Sequence, residues 1–452
     1  MTAASLEDFS YAWPDAEDWT LRELSLELPQ GECHCLTGAT GSGKTTLALA
    51  FKELLPSGRR AGCLRCPAHP GEAGTAVGLV LQNPATQILT ETLGAEVAFG
   101  LENLCLPPEQ MPERVRTALD AVGLDLPFDH PTARLSMGEK YRLLAAAQLV
   151  LEPALLILDE PAGQLDGAGL QRLAEIIARL KHRGLAVLLC EHRPSPLTAV
   201  IDRHWHLDAE GRLREGEAFS APKGVIFAAR MMPADEPPVV EVKGLSVAAD
   251  DATPAWQEAQ LVLRRGERVL LCAPNGTGKT TLLRCLAGFL TPERGTVRVF
   301  GQQPQPRKLR GRVGFLFQNP RRQLFETTVF AEVAFSLRRL GIPRAQLEAR
   351  VLRSLECCGI VRLAWQSPHQ LSYGQQHLVA LAAVLAAEPE LLLLDDPLAG
   401  LDPTTSAVVC EALVAASEQH GTAILWTSHH PPNGQLWSHR VLRIEGGALV
   451  VA

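Results

Sequence analysis

The sequence predicts an α/β fold built twice, as two tandem units in which short apolar strands alternate with helices. Three observations carry this. Gly38-Ala39-Thr40-Gly41-Ser42-Gly43-Lys44-Thr45 follows an apolar strand, Cys33 to Thr37, and opens a helix-like run from Leu47 to Leu55. A second such stretch, Asn275-Gly276-Thr277-Gly278-Lys279-Thr280-Thr281, follows the apolar segment Arg268 to Cys272. Lys44 thus recurs as Lys279, an offset of 279 − 44 = 235, and four later landmarks keep offsets of 236 or 237. Self-similarity at a fixed offset across half a chain marks a duplicated domain.

The first stretch fits G-x-x-x-x-G-K-[ST], a loop whose backbone N–H groups and helix start cradle a triphosphate. Gly38, Gly41 and Gly43 let the backbone approach phosphate oxygens, with Ser42 between them. Lys44 can neutralise the β- and γ-phosphates, the Thr45 hydroxyl can hold Mg²⁺, and Thr46 continues the helix. Upstream, Tyr11 sits in Phe9-Ser10-Tyr11-Ala12-Trp13. It is placed either to stack on a nucleobase or to pack on its own sheet, and the sequence leaves both open. Downstream, Val77 to Leu81 reads as a buried strand ending in Gln82-Asn83-Pro84. The C-terminal edge of such a strand is where open α/β sheets bind ligands.

Thr92 to Leu104 and Pro112 to Val122 have helical periodicity. Leu135-Ser136-Met137-Gly138-Glu139-Lys140 opens a further apolar helix, with Ser136 as N-cap and a helix start that can also bind an anion. Leu155 to Leu158 runs into Asp159-Glu160-Pro161. Two carboxylates ending an apolar strand are costly unless they meet a metal or do chemistry. Gly163-Gln164-Leu165-Asp166, a helix and the strand Leu185 to Cys190 follow, the last ending in Glu191-His192.

The Pro-rich, acidic segment Met231 to Pro238 reads as a linker, giving domains 1–230 and 239–452 joined by residues 231–238. Beyond it the landmarks return as Gln318-Asn319-Pro320, Leu371-Ser372-Tyr373-Gly374-Gln375, Asp395-Asp396 and Ser428-His429.

Composition limits the alternatives. A net charge of −7 over 452 residues does not suggest a general nucleic-acid binder. The apolar runs stop well short of a membrane span, and Met1 to Asp8 lacks the pattern of a secretory leader. Eleven cysteines without a regular framework fit a reducing cytosol. Cys63, Cys66 and His69 form half a metal pattern with no second pair, so ordinary thiols are expected.

Together these residues resemble the ATPase subunits of ATP-binding cassette (ABC) proteins over nearly the whole chain. The resemblance implies two tandem P-loop NTPase domains, each with a RecA-like core, an antiparallel β subdomain and an α-helical signature subdomain. Lys44 and Lys279 match the Walker A lysine, Asp159 and Asp395 the Walker B aspartate, and Glu160 the catalytic glutamate. Gln82 and Gln318 match the Q-loop, His192 and His429 the switch histidine, and Ser136 and Ser372 the signature motif.

ATP and Mg²⁺ are the implied ligands, Mg²⁺ being held by Thr45, Gln82 and Asp159 and by Thr280, Gln318 and Asp395. In this family two cassettes meet head to tail. The first set is then completed by Ser372, Gly374 and Gln375, and the second, which includes Asn275, Gly276, Thr277, Gly278 and Thr281, by Ser136 and Gly138.

Gln82 to Gln87 and Glu96 to Leu104, echoed by Gln318 to Gln323 and Glu332 to Phe335, look like the energy-coupling-factor and cobalt-importer branch. That implies import of a vitamin, a vitamin precursor or a transition-metal ion. The chain would work from the cytoplasmic face of the membrane, through a coupling transmembrane protein and a substrate-binding membrane component. Glu96 and Glu332 are candidate contacts for basic residues of that partner, or else a solvated acidic face. The alternative is a non-transport ABC ATPase acting on ribosomes or nucleic acid. The short linker and the absence of an insertion between Lys44 and Ser136 speak against it. A small-molecule kinase would not need two signature stretches.

Four departures fall on the second site and predict that it mainly binds while the first hydrolyses. Asp396 stands where the first unit has Glu160, and Ala273 stands where it has Gly38. Val247-Ala248-Ala249 lacks a counterpart of Tyr11, and Glu139 matches Gln375.

Overall fold

The structure is a computed structural model. It describes residues 2–14, 16, 18–39, 41–66, 76–82, 84–163, 165, 167–191, 195–216, 237–248, 254–274, 276–429, 437–445 and 448–451. The chain divides into two compact units, Met1–Ser220 and Ala221–Ala452. The division lies ahead of the expected end of the first domain at residue 230, and most of the expected linker lies outside the described residues.

In the first unit a six-stranded sheet runs in the order Val77–Val80, Leu155–Asp159, Ala186–Glu191, Cys33–Gly38, Arg203–Leu207, Leu213–Glu215. All neighbours are parallel except the last pair. The central strands are buried along their whole length. That is why they read as continuous apolar runs rather than alternating ones: helices cover both faces of a parallel sheet. A separate antiparallel sheet orders Leu21–Pro29, Thr2–Ala12 and Arg59–Arg65. A helical layer contains Leu93–Asn103, Met111–Ala121 and Met137–Leu149, within a residue or two of where periodicity put their starts.

The second unit repeats this plan. Its six-stranded sheet runs Val313–Leu316, Leu391–Leu394, Ala423–Ser428, Arg268–Cys272, Arg440–Glu445, Ala448–Val451. Pro254–Leu263, Val240–Ala248 and Arg294–Val299 form the antiparallel sheet, and Val329–Arg339, Arg344–Cys357 and Tyr373–Leu385 form the helical layer. In each unit the Walker-type loop leaves the C-terminal end of a central strand. The carboxylate pair leaves the strand two places away, so the sheet itself brings them together.

Candidate active site

Gly43 caps the helix Lys44–Phe51 in the left-handed region at φ 105°, and Gly278 does the same for Lys279–Leu286 at φ 83°. A Cβ on Gly43 would also lie 2.8 Å from Leu21 Cδ2, so both backbone and packing require glycine there. Lys44 is buried and donates to the carbonyls of Gly38 at 2.8 Å and Ala39 at 3.1 Å. Lys279 matches it, donating to Ala273 at 2.6 Å and Pro274 at 2.7 Å. Ala273 therefore keeps the lysine in place, and its Cβ leaves these bonds intact. In the first unit a Cβ on Gly38 would meet Ser42 Oγ and the Leu207 carbonyl at 2.6 Å. The glycine is needed in one unit and dispensable in the other.

The Thr45 hydroxyl donates to Asp159 Oδ2 at 2.8 Å, and Thr280 to Asp395 Oδ2 at 2.7 Å. A hydroxyl against a carboxylate beside a lysine-bearing loop is a hard-oxygen donor set, which fits Mg²⁺ carried by a nucleotide phosphate. Thr427 donates to Asp395 Oδ1 at 3.0 Å. Burial pushes the Asp395 carboxyl above its ordinary value, opposed by its bonds to Thr280 and Thr427.

Glu160 and Asp396, next along each strand, hold φ of 52° and 46°. For residues other than glycine this costs about 1–3 kcal/mol and persists only where the surroundings fix it. Here the Glu160 amide donates to the Cys190 carbonyl at 2.8 Å, and the Asp396 amide to Thr427 Oγ1 at 2.9 Å. Gln82 Nε2 donates to Glu160 Oε2, joining the two strand ends expected to face one ligand. In the second unit His429 Nδ1 hydrogen-bonds Asp396 Oδ2, and Gln318 is exposed.

Behind these carboxylates, the signature helices bury Tyr141 in one unit and His377 at the repeat-equivalent position in the other. Burial pushes the His377 imidazole down to about 4, so it is neutral at pH 7.

Ser136 and Ser372 cap the helices Met137–Leu149 and Tyr373–Leu385. Each forms a reciprocal capping box, with Glu139 and Gln375 respectively. Burial raises the Glu139 carboxyl, but its bonds to the Ser136 hydroxyl and amide outweigh this and hold it below its usual value. Gly138 and Gly374 follow in the first turns, and Thr46, Thr281 and Thr277 continue the loop-to-helix segments. His192 and Asn275 lie outside the described residues, as do His69, Ala249 and the side chains of Val247 and Ala248.

Two expectations are corrected. Tyr11 is fully buried in the core beneath the antiparallel sheet, its hydroxyl donating to the Pro56 carbonyl at 3.3 Å. It cannot stack on a base. Trp13 packs edge-on against it at 5.6 Å and stays 36% exposed. Glu96 and Glu332 are 5% and 3% exposed, so neither faces a partner or solvent. Glu96 Oε2 accepts from the Leu89 amide, the Thr90 amide and the Thr90 hydroxyl at 2.8–3.0 Å. Glu332 Oε2 accepts from the Phe325 and Glu326 amides at 2.8 Å.

Each is a tie that holds a loop over its own helix. Glu96→Ala would leave part-buried donors without their acceptor, at a cost on the order of 1–3 kcal/mol. Thermal unfolding of the full chain should show a drop of several degrees, whereas an unchanged midpoint would mean the tie contributes nothing.

Gln87 and Gln323 were not singled out from sequence. Gln87 accepts from the Leu81 amide at 2.7 Å, and Gln323 accepts from the Phe317 amide and donates to the Phe315 carbonyl, both at 2.9 Å. Each carboxamide pairs with an edge strand as another strand would, and so fixes where Gln82 or Gln318 begins. Their recurrence 236 residues apart was the available signal.

A family model described as ABC transporter matches residues 21–163 and 256–399, taking in both loops and both carboxylate pairs. This chain belongs to the ABC transporter ATPase family. A Methanosarcina acetivorans protein provisionally named an ABC transporter ATP-binding protein is 32% identical, over 88% of this chain and 77% of its own. A Bacillus subtilis protein provisionally named an HMP/thiamine import ATP-binding protein is 30% identical, over 94% of this chain and 86% of its own. Among solved structures, cbiO1 from Clostridium perfringens, titled as part of the ABC transporter complex cbiONQ, is 31% identical. It covers 48% of this chain and 88% of its own, with a TM-score of 0.44. As a member of the ABC ATPase family the chain is an ATP-binding enzyme that hydrolyses ATP.

Proposed function

We propose that the chain powers uptake of a vitamin, a vitamin precursor or a transition-metal ion through separate transmembrane subunits, as an energy-coupling-factor type ATPase on the cytoplasmic face. The observation that carries this is the near end-to-end likeness to the Bacillus subtilis import protein. The duplicated Gln82-to-Gln87 and Gln318-to-Gln323 loops, each tied back to its sheet, support it. No helix among the described residues is long and apolar enough to cross a membrane, so a spanning partner supplies the path.

Lys44 and Lys279 would meet the β- and γ-phosphates, while Thr45 with Asp159 and Thr280 with Asp395 would hold Mg²⁺. When bound, Mg²⁺ spreads the charge that develops on the transferred phosphoryl group. Glu160 would orient the attacking water and accept its proton, with Gln82 holding the carboxylate in register.

The test is purification of the full chain from its native membranes, followed by identification of what remains bound. Integral membrane subunits are the expected companions. Recovery with ribosomes or nucleic acid instead would replace this reading with a non-transport one.

A further inference from the structure

In the first unit a cavity of about 950 Å³ opens at the end of the six-stranded sheet opposite the phosphate loop. Gln30, Ala76 and Ala154, each just ahead of a strand, line it together with the helix Met111–Ala121 and the end of the helix Gly167–His182. Ala118, Val150 and Leu180 give it a buried apolar floor. Glu109, Glu113, Glu152, Arg114 and Arg183 stand around that floor. An apolar hollow of this size with a few charged groups about it has the form of a small-molecule site.

The repeat shows what would fill it. At the positions of Gln30, Ala76 and Thr117 the second unit carries Arg265, Arg312 and Arg353. Arg312 pairs with Glu390 through both Nε and Nη2, and Arg350 and Arg353 each reach Glu388 at 3.3 Å. Glu388 is the counterpart of Glu152, and Arg350 of Arg114. Arg114 lies 3.2 Å from Glu152, but Thr117 offers no second cation, and the Glu152 side chain is 68% exposed against 28% for Glu388. Both glutamates hold left-handed backbone, φ 52° and 50°, where glycine would sit without strain. A carboxylate is thus kept at this corner in both units at a conformational cost.

Glu109 and Glu113 stand where the second unit has Ala345 and Ala349, and neither is in an ion pair among the described residues. The lining therefore carries two arginines against three glutamates, where the same positions of the second unit carry four arginines against two glutamates. One unit closes this place with its own guanidinium groups. The other leaves it open and acidic.

We propose that the cavity of the first unit binds a small organic cation with guanidinium or primary ammonium ends, at a site separate from the nucleotide. Glu152 would hold one end by charge-assisted hydrogen bonds, as Glu388 holds Arg353, with Glu109 and Glu113 facing the other. The methylenes between would lie on Ala118, Val150 and Leu180. A small anion would instead meet three carboxylates, one of them already satisfied by Arg114.

Equilibrium dialysis of agmatine, a guanidinium and an ammonium joined by a short methylene chain, against the purified full chain without nucleotide tests this. Saturable binding with a Kd below about 1 mM is expected. Thr117→Arg copies Arg353 at an exposed helix position, and Glu113→Gln with Glu152→Gln removes two of the carboxylates. Each should weaken binding about tenfold, with the thermal midpoint showing that the variant is folded. No saturable binding up to about 10 mM, or binding that either variant leaves unaltered, overturns the proposal. Binding of glutarate in place of agmatine, lost in Arg183→Ala, would show a cavity that selects anions and would overturn it as well.

Discussion

Glu160→Gln is expected to lower ATP turnover by about 10²–10⁴-fold, the scale of a positioned general base, while ATP binding is retained. The carboxylate ends the strand Leu155–Asp159 in a strained left-handed conformation, with its amide tied to Cys190 and one oxygen tied to Gln82. Glutamine keeps the shape and can keep the bond to Gln82, but it cannot take a proton. The phosphate loop, built from Gly38 to Thr45, is untouched. Nucleotide binding, followed by fluorescence of a labelled ATP analogue, should stay within a few-fold of the parent while turnover collapses. Near-normal turnover would remove Glu160 from the role.

Asp396→Asn in the intact chain is expected to lower turnover by less than about fivefold, far below the loss at Glu160. The basis is narrower than the sequence suggested. Ala273 supports Lys279 as well as Gly38 supports Lys44, and the contrast resting on Tyr11 disappears with its burial. Glu139 and Gln375 both serve their own helix caps.

What remains is Asp396 itself. It is one methylene shorter than Glu160, and Gln318 is exposed. A base must come within about 2.6–3.2 Å of its water, and a shorter side chain has less reach. Turnover of the two variants measured side by side decides the matter. Equal losses would show equivalent sites.

Much of this was legible in the sequence because it is local or periodic. The phosphate loops were read from glycine, lysine and threonine spacing, and their capping glycines do take the left-handed conformation that spacing requires. Asp159-Glu160 and Asp395-Asp396 stood out because apolar strands do not end in paired acids without cause. Ser136 was legible as a cap, whereas the reciprocal bonding of Ser136 with Glu139 and of Ser372 with Gln375 came from the structure.

The duplication, the strand-loop-helix order and the identity of the loop and strand-end residues were determined by the sequence alone. Each depends on contacts within a few residues or on repetition at one offset. Only the tertiary structure decided that Tyr11 is buried while Trp13 stays partly exposed, and that Glu96 and Glu332 turn inward to hold Leu89 and Phe325 outward. It alone showed that Ala273 can stand in for Gly38. Those outcomes turn on which distant segment packs over a given side chain: Pro56 beside Tyr11, Leu207 beside Gly38, and a loop folded back over its own helix. Helical period gives the face a residue occupies, but not what comes to lie on it.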